Sequence, residues 1–357
     1  MPVKIYDGKD TVIANHQAFS GYGTKALIVT GRSSAKRCGA LQDVCEALET
    51  ENIGWTLFDE IEENPSVETV SRGSAAGLAE AADFVIGIGG GSPLDAAKAI
   101  AFLMKHNGDA TKLYDASVSP DALPVLAVPT TCGTGSEVTG VSVLTVHEKQ
   151  TKQSIPHKIF PQAAFLDGKY LHDAPKRMIL NTAVDALAHM LESFESRKAD
   201  VFSMNAVLNG LTLWRAALPY LRGEAEPDDE TFSVLMRASC YAGTAIAQTG
   251  TSVPHALSYI LTYTLQMPHG PACGYFLDRF LSFAPEKEQA FLLQASGFRD
   301  FRDFSSFLQN AVKEYDVPAE TLQRAYDTVK QNTARLNGCR FTIDETVLHR
   351  IVFNTEA

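Results

Sequence analysis

The sequence predicts a two-domain chain, with a parallel α/β sheet over residues 1–174 and an all-helical half over residues 175–357. Three observations point there. Up to about residue 170, short aliphatic or aromatic runs alternate with amphipathic stretches. After LHDAPKR, long helical patterns follow one another and strand signals become rare, with Pro175 at the change. Finally, 357 residues are enough for two separate cores.

In chain order, residues 25–30, 53–58, 84–88, 125–128 and 163–166 read as strands, and 141–146 as one arm of a hairpin. ALQDVCEALETE is typical of the amphipathic stretches between them. In the second half, residues 206–221, 231–247 and 304–314 carry helical periodicity. There is no repeat and no low-complexity tract; RGEAEPDDE reads as an acidic loop.

Composition narrows the function classes. Hydrophobic residues make up 45% and charged residues 20%, as in an ordinary soluble globular protein. A net charge of −11 without a Lys/Arg run argues against nucleic acid or an anionic membrane as partner. No apolar run approaches the roughly 18 residues of a membrane span. MPVKIYDGKDTVI lacks a signal peptide's apolar core, so a cytoplasmic protein is expected. Cys38, Cys45, Cys132, Cys240, Cys273 and Cys339 are scattered without a C-x-x-C pair, which suits reduced thiols. Cys132 and Cys273 sit beside the two candidate sites as oxidation-sensitive neighbours; neither is expected to be a ligand.

The first candidate site is DFVIGIGGGSPLDAAKAIAF. An apolar strand ends at Gly89, Gly90 and Gly91, and a helix follows. Ser92 reads as its N-cap, Pro93 as the first helical position and Asp95 as the capping-box acid, with a cofactor contact as its second role. Glycines permit close backbone approach, and a helix N-terminus offers N–H groups and partial positive charge, so the turn suits a pyrophosphate. Taken alone, it reads equally well as a strand–helix turn without ligand.

The second candidate site is in the other half. In NTAVDALAHMLES, Asp185 and His189 stand four apart and leave one helix face. His255 and His269 are fourteen positions apart, with room for a helix and a turn back. One carboxylate and three imidazoles can hold a divalent metal and leave a position for substrate oxygen. Each half alone reads as a helix-face pair or as core histidines; the nucleotide motif favours the metal. A nucleotide domain followed by a helical domain is expected to take its ligand between them.

GGGSPLDAAK, PTTCGTGSEVT, and VDALAHMLES with HALSY…PHG, in this order and spacing, resemble the iron-containing (group III) alcohol dehydrogenase family, nearest its shorter NADP-using branch. The likeness runs from about Lys25 to about Arg279. It implies the dehydroquinate synthase-like architecture, with an α/β nucleotide-binding domain and an all-α metal-binding domain, and a homodimer. It implies that Asp185, His189, His255 and His269 bind catalytic Fe2+ and that Gly89, Gly90, Gly91 and Ser92 hold the pyrophosphate. Thr130, Thr131, Thr134 and Ser136 would contact the nucleotide, and Lys152 would reach the cofactor riboses.

Cofactor choice is read after the first strong strand. NAD-using relatives resemble dinucleotide folds with an acid there, at the position of Gly31. Here Gly31, Arg32, Ser33, Ser34 and Lys36 follow without an acid. NADP(H) is expected, with Ser33, Ser34 and Lys36 around the 2′-phosphate and NAD(H) as the alternative; a mere helix cap and solvated basic turn would look similar. Zinc binds imidazole and carboxylate sites more tightly than ferrous iron, so Zn2+ is a candidate in purified protein.

The implied chemistry is metal-assisted hydride transfer between nicotinamide C4 and a short-chain alcohol or aldehyde. Many relatives carry a proton-relaying histidine where this chain has Tyr259, a phenol too weakly acidic to serve as base near neutrality. Tyr259 is expected to orient substrate while water carries the proton. Val184 and Gly168 are lesser departures. A reductase of a small anionic aldehyde, such as phosphono- or sulfoacetaldehyde, is the alternative. The rivals of another class are a dehydroquinate synthase-like lyase, disfavoured by the ligand set, and a non-catalytic binding module.

Overall fold

The computed structural model describes residues 2–355. The chain packs as two units that meet in sequence at Ala174 and Pro175.

The first unit is built on a six-stranded sheet. Its strands are β1 (Lys4–Asp7), β2 (Lys25–Gly31), β3 (Gly54–Ile61), β4 (Phe84–Gly89), β5 (Val125–Pro129) and β8 (Ala163–Leu166). The order is β1-β8-β5-β4-β2-β3, and every neighbouring pair is parallel. β6 (Val143–Val146) and β7 (Thr151–Ser154) form the separate antiparallel hairpin that the sequence anticipated by one arm. The short edge strand β1 was not expected; only its pairing with β8 makes it one.

Period-two alternation splits the aliphatic residues between two cores. Leu27, Val29 and Val85 pack with Ala96–Met104 residues of the Gly91–Lys105 helix. Ala26, Ile28, Phe84, Ile86 and Ile88 pack on the other side with Val44, Ala47 and Leu48 of the Ala40–Thr50 helix. Both faces are therefore covered, which is why β4 reads as an unbroken apolar run. Each fully buried aliphatic side chain contributes about 1.5–3 kcal/mol.

The connection after β2 leads outward to β3, whereas that after β4 leads the opposite way to β5. The carboxyl ends of the adjacent strands β2 and β4 thus flank a topological switch point, where open α/β sheets bind ligands.

The second unit is helical, with no strand among its described residues beyond an isolated bridge, Ser196–Cys339. Its centre is the Lys176–Phe194 helix, buried along most of its length. Trp214, fully buried, donates from Nε1 to the Ala183 carbonyl at 2.8 Å. The helix expected over 206–221 is two, Val201–Ala216 and Leu218–Arg222. Pro219 lacks an N–H and fits only a helix's first turn, so the chain restarts there.

Candidate active site

The nucleotide-type residues collect at the carboxyl ends of adjacent parallel strands. Thr30 of β2 pairs with Ile88 of β4, and Gly89 pairs with Pro129 of β5. Gly31–Lys36, Gly89–Ser92 and Thr130–Ser136 therefore leave the same edge of the sheet. Gly89 has φ +149°, a region open to glycine, and its amide is followed by the Gly91–Lys105 helix. The N-cap is Gly90 and no side chain caps it, which corrects the capping-box expectation. Ser92 and Pro93 lie inside the first turn. Ser92 Oγ accepts from the Asn64 N–H at 3.0 Å.

A Cβ on Gly91 would stand 2.8 Å from Thr134 Cγ2, and one on Gly90 3.0 Å from Thr131 Cγ2. The bare glycine backbone at the helix start thus packs against the Thr131 and Thr134 side chains. Thr130 N–H donates to the Gly89 carbonyl at 2.9 Å, fixing that approach. Asp95 is occupied elsewhere: Oδ1 accepts from Ser136 Oγ at 2.5 Å and Oδ2 from the Val143 N–H at 2.9 Å. Lys98, fully buried, donates to Ser136 Oγ and the Val141 carbonyl, both at 2.7 Å. Burial lowers its pKa against the opposing charge of Asp95. Asp95 and Ser136 therefore brace the cradle as part of a buried network.

Two partners escaped sequence reasoning. Asn64 accepts from Lys152 Nζ at 2.8 Å, so Lys152 and Ser92 meet through one residue that the sequence places far from both. Lys36 Nζ lies 2.6 Å from Asp59 Oδ2 on β3, so an acid does reach the turn after β2, from the next strand. Ser33 and Lys36 are exposed, and Ser33 makes no capping hydrogen bond.

In the helical unit, Asp185, His189 and Glu192 leave one face of the Lys176–Phe194 helix, at i, i+4 and i+7. His255 is in the first turn of the Val253–Leu265 helix, and His269 begins the His269–Leu281 helix. Asp185 Oδ1 lies 3.4 Å from His255 Nε2, 3.8 Å from His269 Nε2 and 3.9 Å from His189 Nε2. The His189 and His255 rings stack at 4.4 Å. Donor atoms of Asp185, His255, His269 and Cys273 all fall within 4.8 Å of one another. Cys273, expected to be only a neighbour, thus enters the group; His189 adjoins it through Asp185 and the ring stack.

Glu192 was also missed, although its i+3 spacing from His189 signals it. Fully buried, its Oε1 accepts from His255 Nδ1 at 2.5 Å and its Oε2 from the Ser252 N–H. This bond sets the His255 tautomer with Nε2 toward Asp185. Asp185 Oδ1 and His255 Nε2, both 2% exposed residues, have no hydrogen-bond partner. Buried polar atoms are rarely left so, and a divalent metal satisfies this donor set. Burial would raise the Asp185 carboxyl, but His189, His269 and His255 together hold it well below the usual range. Burial opposes charge on His255, yet Cys273, Glu192 and Asp185 raise its pKa well above the ordinary value. Tyr259 stacks on His269 at 5.9 Å and 16°, and burial pushes its phenol up, against the charge of Arg335.

Comparison with known proteins agrees with both halves. The chain matches the iron-containing alcohol dehydrogenase model over residues 2–168 and the C-terminal model of the Fe-containing alcohol dehydrogenase family over 179–335. It is 30% identical to the lactaldehyde reductase of Escherichia coli (strain K12), over 72% of this chain and 68% of that one. It is 29% identical to the NADPH-dependent butanol dehydrogenase of Clostridium saccharobutylicum, over 79% and 73%. A solved iron-containing alcohol dehydrogenase of Thermotoga maritima superposes with TM-score 0.89 at 33% identity, covering 98% of this chain and 97% of that one. The sheet, the helical unit and both motifs thus converge, and the chain belongs to the iron-containing alcohol dehydrogenase family.

Proposed function

We propose that this enzyme is an aldehyde reductase and alcohol dehydrogenase that uses NADP(H) in preference to NAD(H), on short-chain substrates. The observation that carries the reading is the pair of unpartnered buried atoms, Asp185 Oδ1 and His255 Nε2, beside His269 and His189. A divalent metal held there, iron in function with zinc able to take its place in purified protein, would supply Lewis-acid polarisation of a substrate oxygen, and the nicotinamide would supply or accept hydride.

The chain's own residues do the rest. Glu192 accepts the His255 Nδ1 proton and keeps Nε2 turned toward Asp185. Ser258 Oγ, 3.4 Å from His269 Nδ1, leaves His269 Nε2 facing the carboxylate. Tyr259, with its proton held more firmly than in water, orients substrate through its ring and hydroxyl, while water carries the proton. Gly89, Gly90, Gly91 and Ser92 present the helix N-terminus to the pyrophosphate, with Thr130, Thr131 and Thr134 alongside. Lys152, held by Asn64, serves the ribose. Ser33, Ser34 and Lys36 take the 2′-phosphate, with Gly31 making room. Asp59 moderates that preference by pairing with Lys36.

The test is NADPH oxidation with short neutral and anionic aldehydes, using protein stripped of metal and reloaded with iron or zinc. Metal-dependent turnover that His269→Ala abolishes supports the reading. A folded protein without turnover under either metal would sink it. Equal catalytic efficiency with NADH and NADPH would overturn the cofactor preference alone.

A further inference from the structure

The donor group within the helical unit contains a sulfur that the ligand set above does not use. Cys273 lies one turn after His269 on the His269–Leu281 helix, so both side chains leave one face. It is fully buried, and its Sγ is 3.9 Å from His269 Nε2. Neighbouring donors on one metal, at about 2.3 Å for sulfur and 2.0–2.1 Å for nitrogen, stand roughly 2.9–3.6 Å apart. The Asp185–His255 separation of 3.4 Å falls in that range, and the Asp185–His269 separation of 3.8 Å exceeds it slightly. The sulfur is thus as close to a bonding position as His269 is to Asp185. Asp185 Oδ1 and His255 Nε2, buried and unpartnered, point independently to a ligand at this spot.

We infer that Cys273 is a further donor of the metal centre beside Asp185, His189, His255 and His269, one that takes the position open to substrate oxygen and yields it when substrate binds. The inference rests on the metal reading above. A thiolate softens a site otherwise made of imidazole and carboxylate, which shifts its preference toward zinc. A softer site also makes the centre's metal content sensitive to thiol oxidation, since an oxidised sulfur no longer donates in the same way.

The test is the absorption spectrum of protein loaded with Co2+, with bound cobalt measured by metal analysis. The expected result is a near-ultraviolet thiolate-to-cobalt charge-transfer band beside the visible ligand-field bands. Cys273→Ser and Cys273→Ala should lose the charge-transfer band while still binding cobalt; the second variant guards against serine ligating in its place. Ligand-field bands without charge transfer in the unmodified protein, or a band that survives both substitutions, would overturn the sulfur donor and leave the metal site standing. No bound cobalt at all in folded protein would overturn the metal site and this inference together.

Discussion

Gly270 sits so close to Asn181 that a Cβ on it would stand 1.8 Å from the Asn181 carbonyl oxygen. The contact is backbone against backbone, between the helix that begins with His269 and the helix that carries Asp185. The glycine following His269 therefore sets the distance between two of the donor residues. Gly270→Ala must move one helix. Overpacking of this kind costs about 1–3 kcal/mol, and the displaced His269 should lower metal affinity as well. Thermal unfolding and metal titration of the variant check both; an unchanged melting temperature would mean that the helices can separate freely.

Glu192 ties its own helix to the start of the Val253–Leu265 helix through both oxygens, at His255 and at the N-cap residue Ser252. Glu192→Gln keeps the shape but weakens acceptance from His255 Nδ1, and loss of such a partner typically costs about 10–100-fold in metal affinity. Competition against a chelating dye measures it. A change smaller than twofold would reduce Glu192 to a packing role.

The nucleotide cradle has a testable steric logic. Gly91→Ala introduces a Cβ 2.8 Å from Thr134 Cγ2 and should raise the KM for NADPH about tenfold, roughly 1.4 kcal/mol. Adding Thr134→Ser removes that methyl and should restore part of the loss. Cobalt binding in the helical unit should not change, which separates this defect from general misfolding.

Cofactor discrimination turns on the pair Lys36 and Asp59. Asp59→Asn frees the lysine and removes a negative charge, so kcat/KM with NADPH should rise relative to NADH. Lys36→Ala should move the ratio the opposite way. If both variants leave the ratio unchanged, the basic turn is only a solvated surface.

Glu195 is buried with neither carboxylate oxygen hydrogen-bonded, and burial together with nearby Glu288 pushes its pKa up to about 7. The folded state therefore holds a proton that the unfolded chain releases near the ordinary value of 4.5. Stability contributed by this group is full below that value and is lost as pH rises through about 7, on the order of 3 kcal/mol. Glu195→Gln should flatten the stability–pH profile between those limits in denaturant titrations. A profile as steep as that of the unmodified protein would assign the slope to other groups.

Local patterning of the chain is enough for the fold class, the five principal strands and the helical face shared by Asp185 and His189. These follow from periods of two and 3.6 residues, which are properties of a local stretch. The same spacing marks Glu192, one turn beyond His189 on that face. The tertiary structure alone decided that Asp59 meets Lys36, that Asn64 joins Lys152 to Ser92, and that Asp95 turns to Ser136 and Lys98 rather than capping its helix. It likewise decided which backbone Gly270 must touch. Residues distant in sequence meet only through strand order and helix packing, and no local period carries that information.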